Sequence, residues 1–304
     1  MTDLASTDVT HRDVFVNGIR LHVVEAGPSD GETVVLLHGF PEMWYGWKHQ
    51  IPALARAGYR VIVPDQRGYN RSDKPTSVAD YDLDILAADV VALIDHTLAG
   101  AAFDRVHLVG HDWGAVVAWH VAAATPNRLS TLSILNVPHP AVFIDTLRSD
   151  LDQLRRSWYI VFFQIPWLPE TLLRRNDFAG LRKMLRASGH RDTFTDADEE
   201  RYVDSWRQPG ALTAMINWYR AAARRAFTRR PETAPIETPA MVIWGEQDVA
   251  LSASMAQPSA DRCRDGHLER IPDATHWVQH DAPTRVNALL MQHFAGQASG
   301  EVFE

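Results

Sequence analysis

The chain has 304 residues, 46% of them hydrophobic and 22% charged, enough apolar material to bury a large core and too much for a disordered chain. Its formal charge of −8 argues against a general nucleic-acid role, which calls for a clustered basic face, and favours small molecules as partners. The single cysteine, Cys263, excludes an internal disulfide framework; the polar start "MTDLASTDVTHRD" lacks the basic-then-apolar pattern of a secretory signal; and the apolar run at 115–124 is too short to span a bilayer, so a reducing cytoplasm and no membrane insertion are expected.

In chain order, "VFVNGIRLHVVEAG" at 14–27 reads as an antiparallel hairpin turning at Asn17-Gly18. "TVVLLHGF", "RVIVPDQRG", "RVHLVGHD", "STLSILNVP", "PAMVIWGEQD" and "HLERIPDATH" then read as buried strands alternating with longer helical patterns, which predicts an α/β fold with a largely parallel sheet. Chemistry in such folds sits at the carboxyl ends of the strands. From about 139 to 233 the rhythm breaks. Leu147, Leu151, Leu154 and Trp158 follow helical spacing, a second helix starts at Thr195 with Asp198 in capping-box position, and a third, with Leu212, Met215, Ile216 and Tyr219 on one stripe, follows Pro209-Gly210. The expected organisation is a core made of residues 1–138 and 234–304 with a helical cap at 139–233. That segment holds 16 Lys and Arg against 12 Asp and Glu, a balance of +4, which leaves −12 for the remainder. The arginines read as a solvated outer face.

The strand "VHLVG" runs into Gly110-His111-Asp112-Trp113-Gly114 and an apolar helix. This is the glycine spacing of a nucleophile elbow with aspartate in the central position. Beside a helix N-terminus the carboxylate stays ionised and nucleophilic; the plain alternative is an aspartate that caps the helix. Asp248, in the loop after "WGEQD", and His276, in "DATHWVQ", follow in nucleophile, acid, histidine order.

With these motifs the chain resembles the epoxide hydrolases of the α/β-hydrolase fold over nearly its whole length. "HGFPE" at 38–42 is similar to that family's HGxP motif, whose x-Pro bond is typically cis and whose backbone helps form an oxyanion hole. The resemblance implies Asp112 as nucleophile, His276 and Asp248 as the water-activating pair, and the N–H groups of Phe40 and Trp113 as oxyanion donors. It also implies ring-opening acids in Tyr159, within "YIVFFQIP", and Tyr219, within "NWYR". Either tyrosine could instead be a core residue of the cap.

A carboxylate needs no deprotonation and can displace at saturated carbon to give an ester. Two leaving groups suit it, an epoxide oxygen or a halide, so a haloalkane dehalogenase is the alternative. Trp113 does not discriminate, since its indole N–H suits a halide, but Phe40 offers no side-chain proton. Nor does "AVVAW" after Trp113 carry the arginines that would hold a haloacid. In some dehalogenases the acid stands at the position represented here by Asn136, and the late Asp248 is the better candidate. Trp113, Phe40, Phe163 and Trp218 are expected to line an apolar substrate site, with other cap aromatics, Trp158, Phe162 and Trp167, lining it or packing the cap. His139 is read as a hinge, and Asp65 and Arg67 as braces. No cofactor and no metal site are expected. The expected partner is a hydrophobic epoxide, and the sequence leaves room for a homodimer.

Overall fold

A computed structural model of the chain describes residues 4–230 and 232–296. Eight strands form one sheet in the order β1-β2-β4-β3-β5-β6-β7-β8: β1 Val9–Val16, β2 Ile19–Ala26, β3 Thr33–Leu37, β4 Arg60–Pro64, β5 Val106–His111, β6 Leu129–Leu135, β7 Ala240–Gly245 and β8 Gly266–Ile271. β1 and β2 form the antiparallel hairpin, with Val16 opposite Ile19 across Asn17-Gly18, and β2 meets β4 antiparallel; every other pairing is parallel. β3, β5 and β7 are buried along their whole length, as their continuous aliphatic runs require when both faces are covered. β8 departs from expectation. Only Ile271 of it is fully buried, because it is an edge strand with charged side chains on its open side.

Among the described residues twelve α-helices accompany the sheet: α1 Gln50–Arg56, α2 Leu83–Leu98, α3 Trp113–Ala124, α4 Pro140–Ser149, α5 Leu151–Arg156, α6 Trp158–Phe162, α7 Leu168–Ser188, α8 Asp196–Trp206, α9 Ala211–Thr228, α10 Ala256–Ala260, α11 Val278–Asp281 and α12 Pro283–Phe294. α3, "WGAVVAWHVAAA", is apolar almost all round and is covered by the sheet on one side and α2 on another. The other face carries α1 packed on α12.

Six of the helices, α4 to α9, lie between β6 and β7. The capping box at Thr195 is present, with Thr195 and Asp198 each satisfying the other's backbone N–H, and the stripe Leu212, Met215, Ile216 and Tyr219 of α9 is buried. The run Leu147 to Trp158 is not one helix. It breaks at Asp150, which caps α5 through its side chain, and Leu151, Leu154 and Trp158 point to solvent rather than to a core. α7 is also kinked, with Asn176, Asp177 and Phe178 in left-handed conformation.

The insert is fastened to the loops that follow the strands. The Trp206 indole donates to the Pro41 carbonyl at 2.6 Å, the Trp218 indole to the Arg67 carbonyl at 3.0 Å, and the Gln153 amide to the Ala250 carbonyl at 2.9 Å. Lys48 pairs with Asp198 at 2.6 Å, and Arg225 bridges Asp82 and Asp84. These loops follow β3, β4 and β7, so the insert lies over the carboxyl ends of the strands.

Candidate active site

β5 ends at His111, and the chain reverses at Asp112 with φ 48° and ψ −126° before α3 begins at Trp113. Such a backbone costs a non-glycine residue about 1–3 kcal/mol. Glycines allow it to persist. A Cβ on Gly114 would lie 2.1 Å from the Leu37 carbonyl oxygen, so only glycine lets α3 start this close to β3. A Cβ on Gly39 would lie 2.3 Å from the Asp112 side chain, so the loop after β3 can approach the elbow only there.

Asp112 does not cap α3, since its side chain makes no capping hydrogen bond. Its Oδ1 accepts from the Phe40 N–H at 2.6 Å, in the loop that contains the cis Phe40-Pro41 bond. Its Oδ2 faces His276 Nε2 at 3.6 Å, an electrostatic approach longer than a hydrogen bond. His276 Nδ1 in turn meets Asp248 Oδ2 at 2.7 Å. Because a carboxylate only accepts, that nitrogen carries the proton.

Asp248 is fixed by four donors. The Ala250 and Leu251 N–H groups bind Oδ1 at 2.8 and 2.9 Å, and Asn136 Nδ2 joins His276 on Oδ2 at 2.9 Å. Asn136 also bonds both backbone groups of Gly245, which pins the end of β7. Burial by itself would raise the two carboxyls, but His276 between them, with the backbone donors, holds both below the ordinary aspartate range. Burial would likewise depress His276, and the flanking carboxylates overcome it and push the imidazole up to about 10. The resting arrangement is an aspartate, imidazolium, aspartate line.

Tyr159 at the start of α6 and Tyr219 in α9 come together with their ring centroids 5.9 Å apart, nearly perpendicular. Both phenols are raised well above the ordinary value, first by burial and then by the charge of Asp112, so both remain protonated beside the carboxylate. Tyr219 packs on Trp113 at 4.9 Å, Phe40 at 5.3 Å and Phe163 at 4.7 Å. These rings form an apolar wall around the carboxylate, which keeps 21% of its side chain open.

The remaining expectations divide. Trp218 meets this cluster through Trp113 at 5.8 Å, but its indole is committed to Arg67 and its ring to Tyr69, so it serves as packing behind the wall. Phe162 is half-buried beside Phe163. Trp158 and Trp167 do not line the site: they are 65% and 77% exposed, Trp158 lying against the Phe162 ring at 5.8 Å. His139 caps α4 with its ring nitrogen and takes a 2.9 Å bond from its own N–H to Ser259. Asp65 accepts from Trp44, His22 and Asn70, and Arg67 is bidentate to Asp89, which are bracing contacts. Among the described residues no three His, Cys, Asp or Glu side chains come together as a metal-binding group.

One buried group lies outside the residues expected from the sequence. Glu42 closes the "HGFPE" motif, is 1% exposed and accepts from Tyr202 at 2.6 Å, His280 at 2.8 Å and Gln279 at 3.2 Å. Burial opposes its charge, while His280 and His111 hold its carboxyl far below the ordinary range. His111 hydrogen-bonds the His276 carbonyl at 2.9 Å. Glu42 therefore ties together the loop after β3, the elbow, the His276 loop and α8. A glutamate placed directly after a proline turn that the motif buries was the available signal.

The sequence matches the model of the alpha/beta hydrolase fold family over residues 32–283. It is 44% identical over 286 residues to the AB hydrolase superfamily protein YfhM of Bacillus subtilis, covering 93% of this chain and 97% of that one. It is 36% identical over 287 residues to Epoxide hydrolase 2 of Caenorhabditis elegans, covering 93% and 79%. Among solved structures, the Bacillus megaterium epoxide hydrolase in complex with an inhibitor superposes with a TM-score of 0.84 at 30% identity, covering 94% of this chain and all of that one. From its sheet order, its elbow and these likenesses, the chain belongs to the α/β-hydrolase fold family, in the branch that holds these epoxide hydrolases.

Proposed function

We propose that this protein hydrolyses a hydrophobic epoxide to a vicinal diol through an ester on Asp112. The observation that carries the reading is the pairing of Tyr159 and Tyr219 in one aromatic wall with Asp112, whose charge both phenols feel. In this reading Oδ1 is retained by the Phe40 N–H and Oδ2 attacks an epoxide carbon. The C–O bond breaks, and a tyrosine O–H protonates the leaving oxygen. Alkylation removes the charge of Asp112, so the imidazolium of His276 loses one of the two carboxylates that sustain it. Its proton departs and offsets the one the tyrosine gave up. Neutral His276, oriented by Asp248, then takes a proton from water as the water attacks the ester carbon. The Phe40 and Trp113 N–H groups hold the resulting oxyanion until the diol leaves. Residues 139–233 act as the cap that supplies both acids, and the single cysteine supports a reducing cytoplasm as the compartment.

The test is a matched assay of the protein and Asp112→Ala with a styrene-oxide-like epoxide and a bromoalkane, following diol and bromide separately. Diol formation lost in the variant is the expected result. Bromide release without diol would replace the reading by haloalkane dehalogenation.

A further inference from the structure

The helix pair that carries Tyr159 is amphipathic in an unusual sense. Gln153, Ser157 and Phe163 face inward, while Leu151, Leu154, Trp158, Val161 and Ile165 face solvent. Leu151, Leu154, Trp158 and Val161 are spaced by three and four residues across the break at Ser157, where Ile160 N–H still reaches the Ser157 carbonyl, while Leu168 and Leu172 follow in α7 after the non-helical stretch 163–167. Leu151, Trp158 and Val161 are 65–71% exposed. Isolated surface apolar residues need no explanation, but these seven exposed within 22 consecutive residues of α5, α6 and the start of α7 are the kind of concentration that marks an interaction surface.

The charges around it say what covers it. Arg155, Arg174, Arg175 and Arg224 make no ion pair with a carboxylate among the described residues, unlike Arg156, Arg182 and Arg220 of the same insert, which do. Arg174, Arg175 and Arg224 border an open surface cavity of about 950 Å³ together with the exposed Trp167. The insert carries +4 on a body of −12, so a negative surface attracts this side and repels the rest. A second copy docked through the same patch would set arginine against arginine, whereas phosphate headgroups satisfy the guanidinium groups and the acyl boundary takes the aliphatic and indole side chains.

We propose that the outer face of α5, α6 and the start of α7 docks on the surface of an anionic phospholipid bilayer, without spanning it. The Leu154 and Val161 face enters the headgroup boundary and Arg155 and Arg174 lie at phosphate level. The proposal stands whether or not the reaction assigned above is correct. It also places the helix bearing Tyr159 against the phase in which an apolar substrate accumulates.

Flotation of the whole chain with phosphatidylcholine vesicles, with and without about 30% phosphatidylglycerol, tests it. Binding to the anionic vesicles should exceed binding to neutral ones by about tenfold and fall as salt is raised, since each basic residue near such a surface contributes measurably. Leu154→Glu/Val161→Glu and, separately, Arg155→Glu/Arg174→Glu should each weaken it by about tenfold or more, with unchanged circular dichroism because all four side chains are at the surface. Absence of anionic preference, or binding that both variants retain, overturns the proposal. A concentration-dependent dimer in sedimentation equilibrium that Leu154→Glu/Val161→Glu dissociates overturns it too, since the patch would then be a contact between copies.

Discussion

Asp248→Asn separates the two halves of the proposed reaction. The carboxylate accepts the His276 Nδ1 proton at 2.7 Å and is itself fixed by Ala250, Leu251 and Asn136. An asparagine keeps the shape but loses the charge, and it allows the imidazole to adopt the other tautomer or turn away. The flanking carboxylates raise His276 from 6.5 to about 10, which corresponds to a few kcal/mol, roughly 1.4 per unit, of preference for imidazolium. Asp248 is the largest contributor to that rise. Loss of the equivalent orienting acid in a serine-type triad costs about 10⁴ in kcat, so ester hydrolysis is expected to slow by roughly 10³ to 10⁴, or about 4–5.5 kcal/mol. Alkylation needs only Asp112 and the tyrosines and should change far less. Rapid-quench measurement of epoxide consumed and diol formed, paired with intact-protein mass spectrometry, reads both steps: a burst of about one equivalent of epoxide consumed as the alkylated chain appears, followed by slow formation of diol. If alkylation and steady-state turnover fall together, or if turnover is unchanged, Asp248 is not the partner of the water-activating histidine.

The remaining tests address the other members of the site. His276→Gln should accumulate an alkylated chain whose added mass maps to the peptide with Asp112, and normal steady-state turnover would remove His276 from the mechanism. Tyr159→Phe and Tyr219→Phe should each slow alkylation, and the double variant should lose about 10²–10⁴ of it; full epoxide activity in the double variant would end their assignment as acids. Stability should respond to pH with a defined sign. The depressed carboxyls of Asp112 and Asp248 contribute above about pH 4 and lose that contribution as acid protonates them, while the raised His276 contributes fully below about pH 6.5 and loses it as pH climbs toward 10. The thermal-unfolding advantage of the native chain over His276→Gln should therefore be largest near about pH 5–6 and shrink as pH rises. A gap that widens above neutrality would contradict the resting imidazolium.

Much of the candidate site was legible because the chemistry proposed for it is carried by short, local patterns. The elbow around Asp112 is five residues, and its glycines announce a steric need that the approach to the Leu37 carbonyl explains. Asp248 and His276 follow strands whose aliphatic runs are unmistakable, and the tyrosines sit in recognisable segments. The hairpin turn and the Thr195 capping box were legible for the same reason, since each is settled by neighbours within a few residues.

What the sequence could not give depends on contacts between distant segments. The place of Glu42 after the proline turn hints at burial, but its partners Tyr202, Gln279 and His280 stand 160 to 238 positions away, and only the fold brings them onto it. Asn136 looked like a vacant alternative acid position, yet 112 residues later in the chain Asp248 turns back to accept from it. The run Leu151, Leu154 and Trp158 shows the limit most clearly. Periodicity tells which side chains share a helical face, but its sign, toward the core or toward solvent, is set by what the other face packs against. Here Gln153, Ser157 and Phe163 took the inward positions through bonds and ring contacts to the body and α9. That choice is made by the whole fold, because burial is a property of the assembled neighbourhood and not of the segment.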